Sequence, residues 1–121
     1  MKYGLVQPIG LLEAEACLES DDPTLIADSL LRASLSDIDH CWVESACLHA
    51  LDRPELGVRW AALSALGHLA RRYRHVDVST VMAAIQPLRA IPSVSGKIDD
   101  LLGDINVFVC NENEKIGDQD P

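Results

Sequence analysis

The chain has 121 residues, 48% of them hydrophobic, with 19 acidic and 10 basic side chains and a formal net charge of −9. This length suits a single domain with its own core, and no apolar run reaches the ~20 residues that span a bilayer. An aromatic content of 4% argues against a β-sandwich or barrel. The acidity argues against direct nucleic-acid binding, because phosphates would be repelled. The composition predicts an acidic all-α domain with neither nucleic acid nor membrane as a partner.

The cysteine spacing and the first residues bear on the cellular compartment. The four cysteines, at positions 17, 41, 47 and 110, form no Cys-x-x-Cys pair, which favours reduced thiols. The N-terminus carries one charge before Pro8 and Gly10, a pattern that is unlike a signal peptide. We therefore expect a cytoplasmic protein.

Apolar residues recur three and four positions apart, which is the period of an α-helix. Pro8 and Pro23 suit first-turn positions, Asp22 and Asp77 can cap the helices that follow them, and Pro87 should kink or divide a helix. Six helices are predicted, at about 8–20, 23–35, 38–51, 54–72, 78–90 and 94–108.

The predicted helices share one core. The expected core residues of the first four helices are Ile9, Leu12, Ala16, Ile26, Leu30, Ala33, Val43, Ala46, Cys47, Ala50, Val58, Ala61, Ala62, Leu66 and Leu69. After Val109 the chain has almost nothing to bury. The predicted domain therefore covers residues 1–109, and an acidic disordered tail covers residues 110–121.

The sequence is weakly self-similar. Residues 16–23 and 46–54 share an Ala-Cys-Leu triplet followed by Asp and Pro. Residues 58–69 and 94–105 share a Val, a Leu-Gly pair and a final aliphatic residue at the same spacing. In repeats of this length each helix pair covers the apolar face of the next. Three helix–turn–helix units are predicted, at about 8–35, 38–72 and 78–108.

Residues 51–67, Leu-Asp-Arg-Pro-Glu-Leu-Gly-Val-Arg-Trp-Ala-Ala-Leu-Ser-Ala-Leu-Gly, resemble the central signature of a HEAT repeat. In that family a turn with Asp and Pro joins helix A to helix B, and a Val-Arg pair opens helix B. The spacing from Asp52 to Arg59 is one residue longer here than in the usual pattern. The resemblance covers most of residues 8–108 and implies a short right-handed α-solenoid of about three HEAT-like helix pairs.

The sequence contains no recognisable catalytic motif. A phosphate-binding Gly-rich loop, a Gly-x-Ser-x-Gly elbow and a His-Glu-x-x-His pair are all missing from it. Some HEAT-like proteins are di-iron hydroxylases with repeated His-Glu pairs, but none of the four histidines here precedes a Glu. We therefore predict neither catalytic residues nor a cofactor.

The potential metal ligands that lie close together in the sequence are His40, Cys41, Cys47 and His49. On one helix, Cys41 and Cys47 point about 240° apart, so no metal site is predicted and Cys47 is interpreted as a core residue. Cys110 should be accessible at the edge of the tail, either as an inert thiol or with a redox role.

Charge divides the chain into an acidic start, a basic middle and an acidic end. Residues 1–52 hold ten acids and two bases, residues 53–89 six arginines and two acids, and residues 99–121 seven acids and one base. Such asymmetry usually steers a partner. Trp60, beside Arg59 and offset from the apolar stripe, is the expected binding hot spot. The acids expected at the same surface or its edges are Asp21, Asp22, Asp28, Asp37, Asp39, Asp99, Asp100 and Asp104.

In size, acidity and lack of catalytic motifs, the chain resembles bacterial immunity proteins of toxin–immunity pairs, including those of contact-dependent growth inhibition. The resemblance implies a non-catalytic protein that covers the substrate cleft of a basic toxin, most readily a nuclease, with an acidic surface. The alternatives are a small HEAT-repeat adaptor for an unrelated protein and a lyase-like or chaperone-like HEAT protein. A monomer and a weak dimer through an end repeat both stay open.

Overall fold

The computed structural model describes residues 8–110, apart from the side chain of Cys110. No strand occurs in this part of the chain, which confirms the all-α class and the six helices. A 3₁₀ turn, Gln86–Leu88, follows the fifth helix, and a π-helical turn, Asn106–Cys110, follows the sixth. The six α-helices are Leu11–Leu18 (α1), Pro23–Ser34 (α2), His40–Ala50 (α3), Leu56–Tyr73 (α4), Val78–Ile85 (α5) and Pro92–Ile105 (α6).

Helix α4 is the centre of the fold. It packs against α2, α3 and α6, and α1 packs on α2. Nine of its 18 residues are buried, and a helix that is apolar on several faces needs neighbours on several sides. Five of these buried residues are alanine or glycine, which lets the neighbouring helices approach closely. They are Ala61, Ala62, Ala65, Gly67 and Ala70.

One continuous core extends from α1 to the π turn, from Ile9 to Val109. Its largest fully buried side chains come from α2 to α6 and from the turn after α3. They are Ile26, Leu30, Val43, Leu51, Val58, Leu63, Leu66, Leu69, Val81, Ile85, Ile98 and Leu101. Burying a side chain of this size contributes roughly 1.5–3 kcal/mol. The core therefore supplies most of the force that holds the six helices together.

Local sequence signals set most of the helix boundaries. Asp22, Asp39 and Asp77 cap α2, α3 and α5, each accepting a backbone N–H from the first turn. Pro23 occupies the first turn of α2. Pro87 lies in the 3₁₀ turn that ends α5, so the predicted division of that helix is confirmed.

The predicted face of α1 is wrong. The helix begins at Leu11 rather than near residue 8, Leu12 is 82% exposed, and Ala16 is exposed. The residues that α1 buries instead are Ala14 and Cys17.

The cause lies in the segment before α1. The Ile9 N–H donates to Ser36 Oγ at 2.9 Å, and Arg32 donates to the Pro8 carbonyl at 3.1 Å. These bonds hold the segment against the end of α2, and Gly10 has an extended backbone (φ −89°, ψ 164°). Ile9 is buried as predicted, but it precedes the helix, so its position does not define the helical face.

The start of α4 also differs from the prediction. Asp52 and Pro54 were expected to open it, but α4 begins at Leu56. The Asp52 amide still bonds back to the His49 carbonyl at 3.1 Å. The chain therefore continues the last turn of α3, and Pro54 falls in the connection.

The three even-numbered helices pack side by side, since α4 contacts both α2 and α6. The Arg59 guanidinium ties α4 to the preceding turn through the Leu51 carbonyl, at 3.2 Å. The HEAT-like repeat and its right-handed superhelix stay predictions. The proposed tail, residues 110–121, lies outside the described residues except for the backbone of Cys110.

Within residues 8–110, no helix combines the length and apolar character needed to cross a bilayer.

Candidate partner-binding groove

A groove of about 460 Å³ extends over α2, α4 and α6. On α4 it is lined by residues three and four positions apart, which share one helical face. On α6 the same periodicity recurs, and Ala27 and Leu31 of α2 close the remaining side. The lining residues with polar or aromatic groups are Trp60, Ser64, His68 and Arg71 of α4 and Lys97, Asp100 and Asp104 of α6.

Trp60 lies at one end of this groove and is held by α6. Its indole Nε1–H donates to the Ser93 carbonyl at 2.7 Å. The Lys97 ammonium lies 5.8 Å from the ring centroid, within cation–π range. The side chain is still 42% exposed. The structure therefore presents an aromatic surface whose orientation is already fixed.

An ion pair lies at the other end. Arg71 Nη1 donates to Asp104 Oδ2 at 2.6 Å, a short charge-assisted bond between α4 and α6. Gly67 lies directly beneath it, and a Cβ at that position would come within 2.8 Å of the same Asp104 oxygen. A Cβ at this position would therefore displace the Asp104 carboxylate from its place beside Arg71.

His68 is half-buried between the groove and α2. The Ser34 hydroxyl has one hydrogen, which it donates to the Leu31 carbonyl at 2.7 Å. The His68 Nδ1–H is therefore the donor in its 3.0 Å contact with Ser34 Oγ. Burial first, and then the Arg71 cation, lower the pKa of His68 below its usual value. The ring is neutral at neutral pH.

The groove carries both signs of charge, because Arg71 and Lys97 lie among Asp100 and Asp104. Arg71, His68 and Lys97 are not among the contact residues predicted from the sequence. The helical spacing of His68 and Arg71 from Trp60 along α4 is the sequence signal that could have identified these two residues. The interior of the groove is thus balanced in charge, and the acidic excess of the chain belongs to residues outside it.

Of the nine predicted contact residues, three line the groove. These are Trp60, Asp100 and Asp104. Asp99 is exposed on α6, and Asp28 is exposed on α2 within 3.6 Å of Arg32. Neither of these two residues lines the groove.

The other four predicted acids lie in the loops. Asp21 and Asp22 precede α2, and Asp22 caps it. Asp37 accepts a bond from Arg72 at 3.3 Å, which ties the α2–α3 connection to the end of α4. Asp39 caps α3.

A second depression lies at the edge formed by α1 and α3, with a volume of about 460 Å³. Its apolar lining includes Ile9, Leu11 and Trp42, and Asp37 and Asp39 form its polar rim. The neighbouring Leu12 is the most exposed of the large hydrophobic residues described here. This edge therefore combines an apolar surface with two exposed carboxylates.

Of the four residues considered as metal ligands, His40 and Cys41 lie close together, and Cys47 and His49 do not join them. Cys47 is fully buried, and desolvation together with the nearby Glu44 carboxylate raises the pKa of its thiol far above the usual value. Cys41 is exposed at the start of the same helix. His49 Nδ1 contacts the Ser45 carbonyl at 2.9 Å. Cys47 is thus a core residue.

Comparison with known proteins relates the chain to a solved complex. No protein-family model matches the chain, and no curated protein sequence does. A chain in the crystal structure of a CDI complex from Cupriavidus taiwanensis LMG 19424 is similar, with a TM-score of 0.75 and 28% sequence identity. The match covers 89% of this chain and 97% of that one. The similarity therefore extends over a whole chain of that complex.

Proposed function

We propose that this protein is an immunity protein of a contact-dependent growth inhibition pair, which binds and neutralises the toxin domain of that pair. The observation that carries the proposal is its similarity to a chain of a CDI complex over 97% of that chain. A small acidic helical domain without a recognisable catalytic motif suits the inhibitor in such a pair. Its action would then be binding alone.

The proposed partner is a basic toxin domain, most readily a nuclease. A nuclease needs a positive cleft to hold phosphates, and a net charge of −9 is complementary to such a cleft. Attraction between opposite charges raises the association rate, and well-packed contacts slow dissociation. Exposed carboxylates, among them Asp100 in the groove and Asp28 and Asp99 outside it, would supply the attraction.

The groove over α2, α4 and α6 is the proposed contact surface. Tryptophan and arginine are the residues most often found as hot spots of interfaces, and Trp60 and Arg71 mark its two ends. Trp60 is already oriented by α6, so little side-chain freedom is lost on binding. Asp100, between them, would face a basic side chain of the toxin.

A pull-down from the native host tests the proposal, with the tag placed after Pro121 and elution by stepwise salt. We expect a stoichiometric, basic fragment that survives moderate salt, and its identity is established by mass spectrometry. Recovery of only neutral or acidic partners would contradict the immunity role.

A second candidate is an adaptor for an unrelated protein. The balanced charge inside the groove and the exposed Leu11 and Leu12 favour it, because contacts of this kind respond little to salt. Complex stability measured at low and high salt separates the two functions. Marked weakening at high salt supports the toxin inhibitor, and no change supports the adaptor.

A further inference from the structure

The start of α3 brings together three different kinds of metal-ligating atom. Asp39, His40 and Cys41 each contribute one donor atom, and these atoms all lie within 4.8 Å of one another. His40 Nδ1 lies 3.9 Å from Cys41 Sγ. The set consists of a carboxylate oxygen, an imidazole nitrogen and a thiol sulfur, which are the ligand types that zinc takes in proteins.

A second element approaches the same place. After α4 ends at Tyr73, Arg74 adopts a left-handed conformation (φ 54°) that turns the chain. The His75 ring then lies 6.1 Å from the His40 ring, edge-on at 82°. His40 also stacks on Tyr73 at 4.5 Å, which restricts the plane of its ring. Two segments that are distant in the sequence therefore bring His75 close to His40.

The distances between the three donor atoms are close to those between the ligand atoms of a zinc site. Bonds of about 2.0–2.3 Å in a tetrahedral zinc site place the donor atoms about 3.5 Å apart. The observed limit of 4.8 Å requires changes of about 1 Å, which the exposed Cys41 side chain can make by rotation. Asp39 can keep one carboxylate oxygen on the Cys41 N–H and offer the other to the ion. Both lie at the first turn of α3, where the helix dipole favours anionic groups such as a carboxylate and a metal-bound thiolate.

We propose that Asp39, His40 and Cys41 bind a zinc ion, with His75 as the fourth ligand. The site would link the start of α3 to the α4–α5 connection, and the ion would be structural because four protein ligands close the coordination sphere. Zinc bound at this place would add to the stability of the folded chain. This proposal does not depend on the identity of the protein partner.

Metal titration of the full-length chain tests the proposal, with no histidine tag and after treatment with a chelator. Cobalt(II) is the probe, because a cobalt–thiolate bond gives an intense charge-transfer absorption. We expect this band to saturate at one equivalent and to disappear when zinc is added. We also expect zinc to raise the thermal unfolding temperature.

Single substitutions identify the ligands. Cys41→Ser should abolish the band, and His75→Gln should weaken cobalt binding by about tenfold or more. The matched control is Cys110→Ser, which should retain the band. Both Cys41 and His75 are exposed, so the variants should fold, and far-UV circular dichroism checks this. Loss of the band in Cys110→Ser but not in Cys41→Ser would overturn the proposal, as would the absence of a saturable band in the unmodified chain.

Discussion

Trp60 is the residue on which the proposed interface depends most. Its indole N–H and its ring are both engaged by α6, so it meets a partner in a fixed orientation. We expect Trp60→Ala to weaken partner binding by about 2 kcal/mol, roughly 30-fold, as is usual for an interface hot spot. Isothermal titration calorimetry with the captured partner measures the change.

Leu12→Ala is the control for this prediction, since Leu12 is an exposed apolar residue that does not line the groove. Its binding constant should stay at the unmodified value. Equal losses in the two variants, or none in Trp60→Ala, would show that the partner binds elsewhere.

His68 makes the stability of the fold depend on pH. Its folded pKa is lowered by burial and by Arg71, whereas an unfolded imidazole takes up a proton near pH 6.5. The unfolded state therefore binds more protons below that pH, and the free energy of unfolding falls as the pH drops from 7 toward about 5.5. The measurement is urea unfolding across this range, for the unmodified chain and for His68→Gln.

The unmodified chain and His68→Gln differ in one titrating group. The difference between their slopes of unfolding free energy against pH therefore reports His68 alone. We expect the free energy of unfolding to fall less steeply with decreasing pH in His68→Gln. Identical slopes would mean that the folded and unfolded states protonate His68 equally.

At the residue scale, the roles of residues that act within one helical turn could be predicted from the sequence, and contacts between distant residues could not. Asp22 and Pro23 act on amides within one turn, so their roles follow directly from the sequence. The bond between Arg71 and Asp104 joins residues 33 positions apart. It depends on which faces α4 and α6 present to each other, and the periodicity of either helix leaves that undetermined.

At the scale of elements, the first helix shows why an apolar pattern can be misinterpreted. The bond from the Ile9 N–H to Ser36, a residue after α2, holds the segment before α1 outside the helix. Because α1 begins later than predicted, it buries a different face. Leu12 thus becomes exposed although its spacing from Ile9 is helical. Helices with their own caps, such as α2 and α5, followed the prediction closely.

Glycine substitutions test the close contact between α4 and α6. Gly96→Ala lies in α6 with no atom within 4 Å of the added Cβ, and it should raise the free energy of unfolding by about 0.5–1 kcal/mol through helix propensity. Gly67→Ala should show no such gain, because its Cβ would meet the Asp104 carboxylate that Arg71 holds. Chemical denaturation of both variants provides the comparison. An equal gain in both would mean that the Asp104 carboxylate can move away from the added Cβ at no cost.

At the scale of the whole molecule, charge is distributed unevenly between the groove and its surroundings. The groove pairs two cations with two carboxylates, while the chain as a whole carries −9. Composition alone predicted the acidity and the all-α class. The balance of positive and negative charge inside the groove could not be predicted, because Arg71 and Lys97 come from different segments of the sequence and meet only in the folded chain.

Reversing the charge of two aspartates on α6 tests electrostatic steering. Asp99 and Asp100 are exposed on α6, so changing both to lysine should leave the fold intact. We expect the association rate with a basic partner to fall by about tenfold at low salt, and the rate to become less sensitive to ionic strength. Stopped-flow measurements over a salt series provide both values. An unchanged rate and salt dependence would rule out the acidic surface as the source of attraction.

The central claim is that this chain neutralises a toxin by binding it. The most direct measurement is a titration of the captured partner's toxic activity, beginning with nucleic-acid cleavage, against increasing amounts of the purified chain. We expect a linear loss of activity that is complete at one equivalent, and for Trp60→Ala a curve shifted to larger amounts of the chain. A partner that is bound at one equivalent and yet keeps its full activity would contradict the claim.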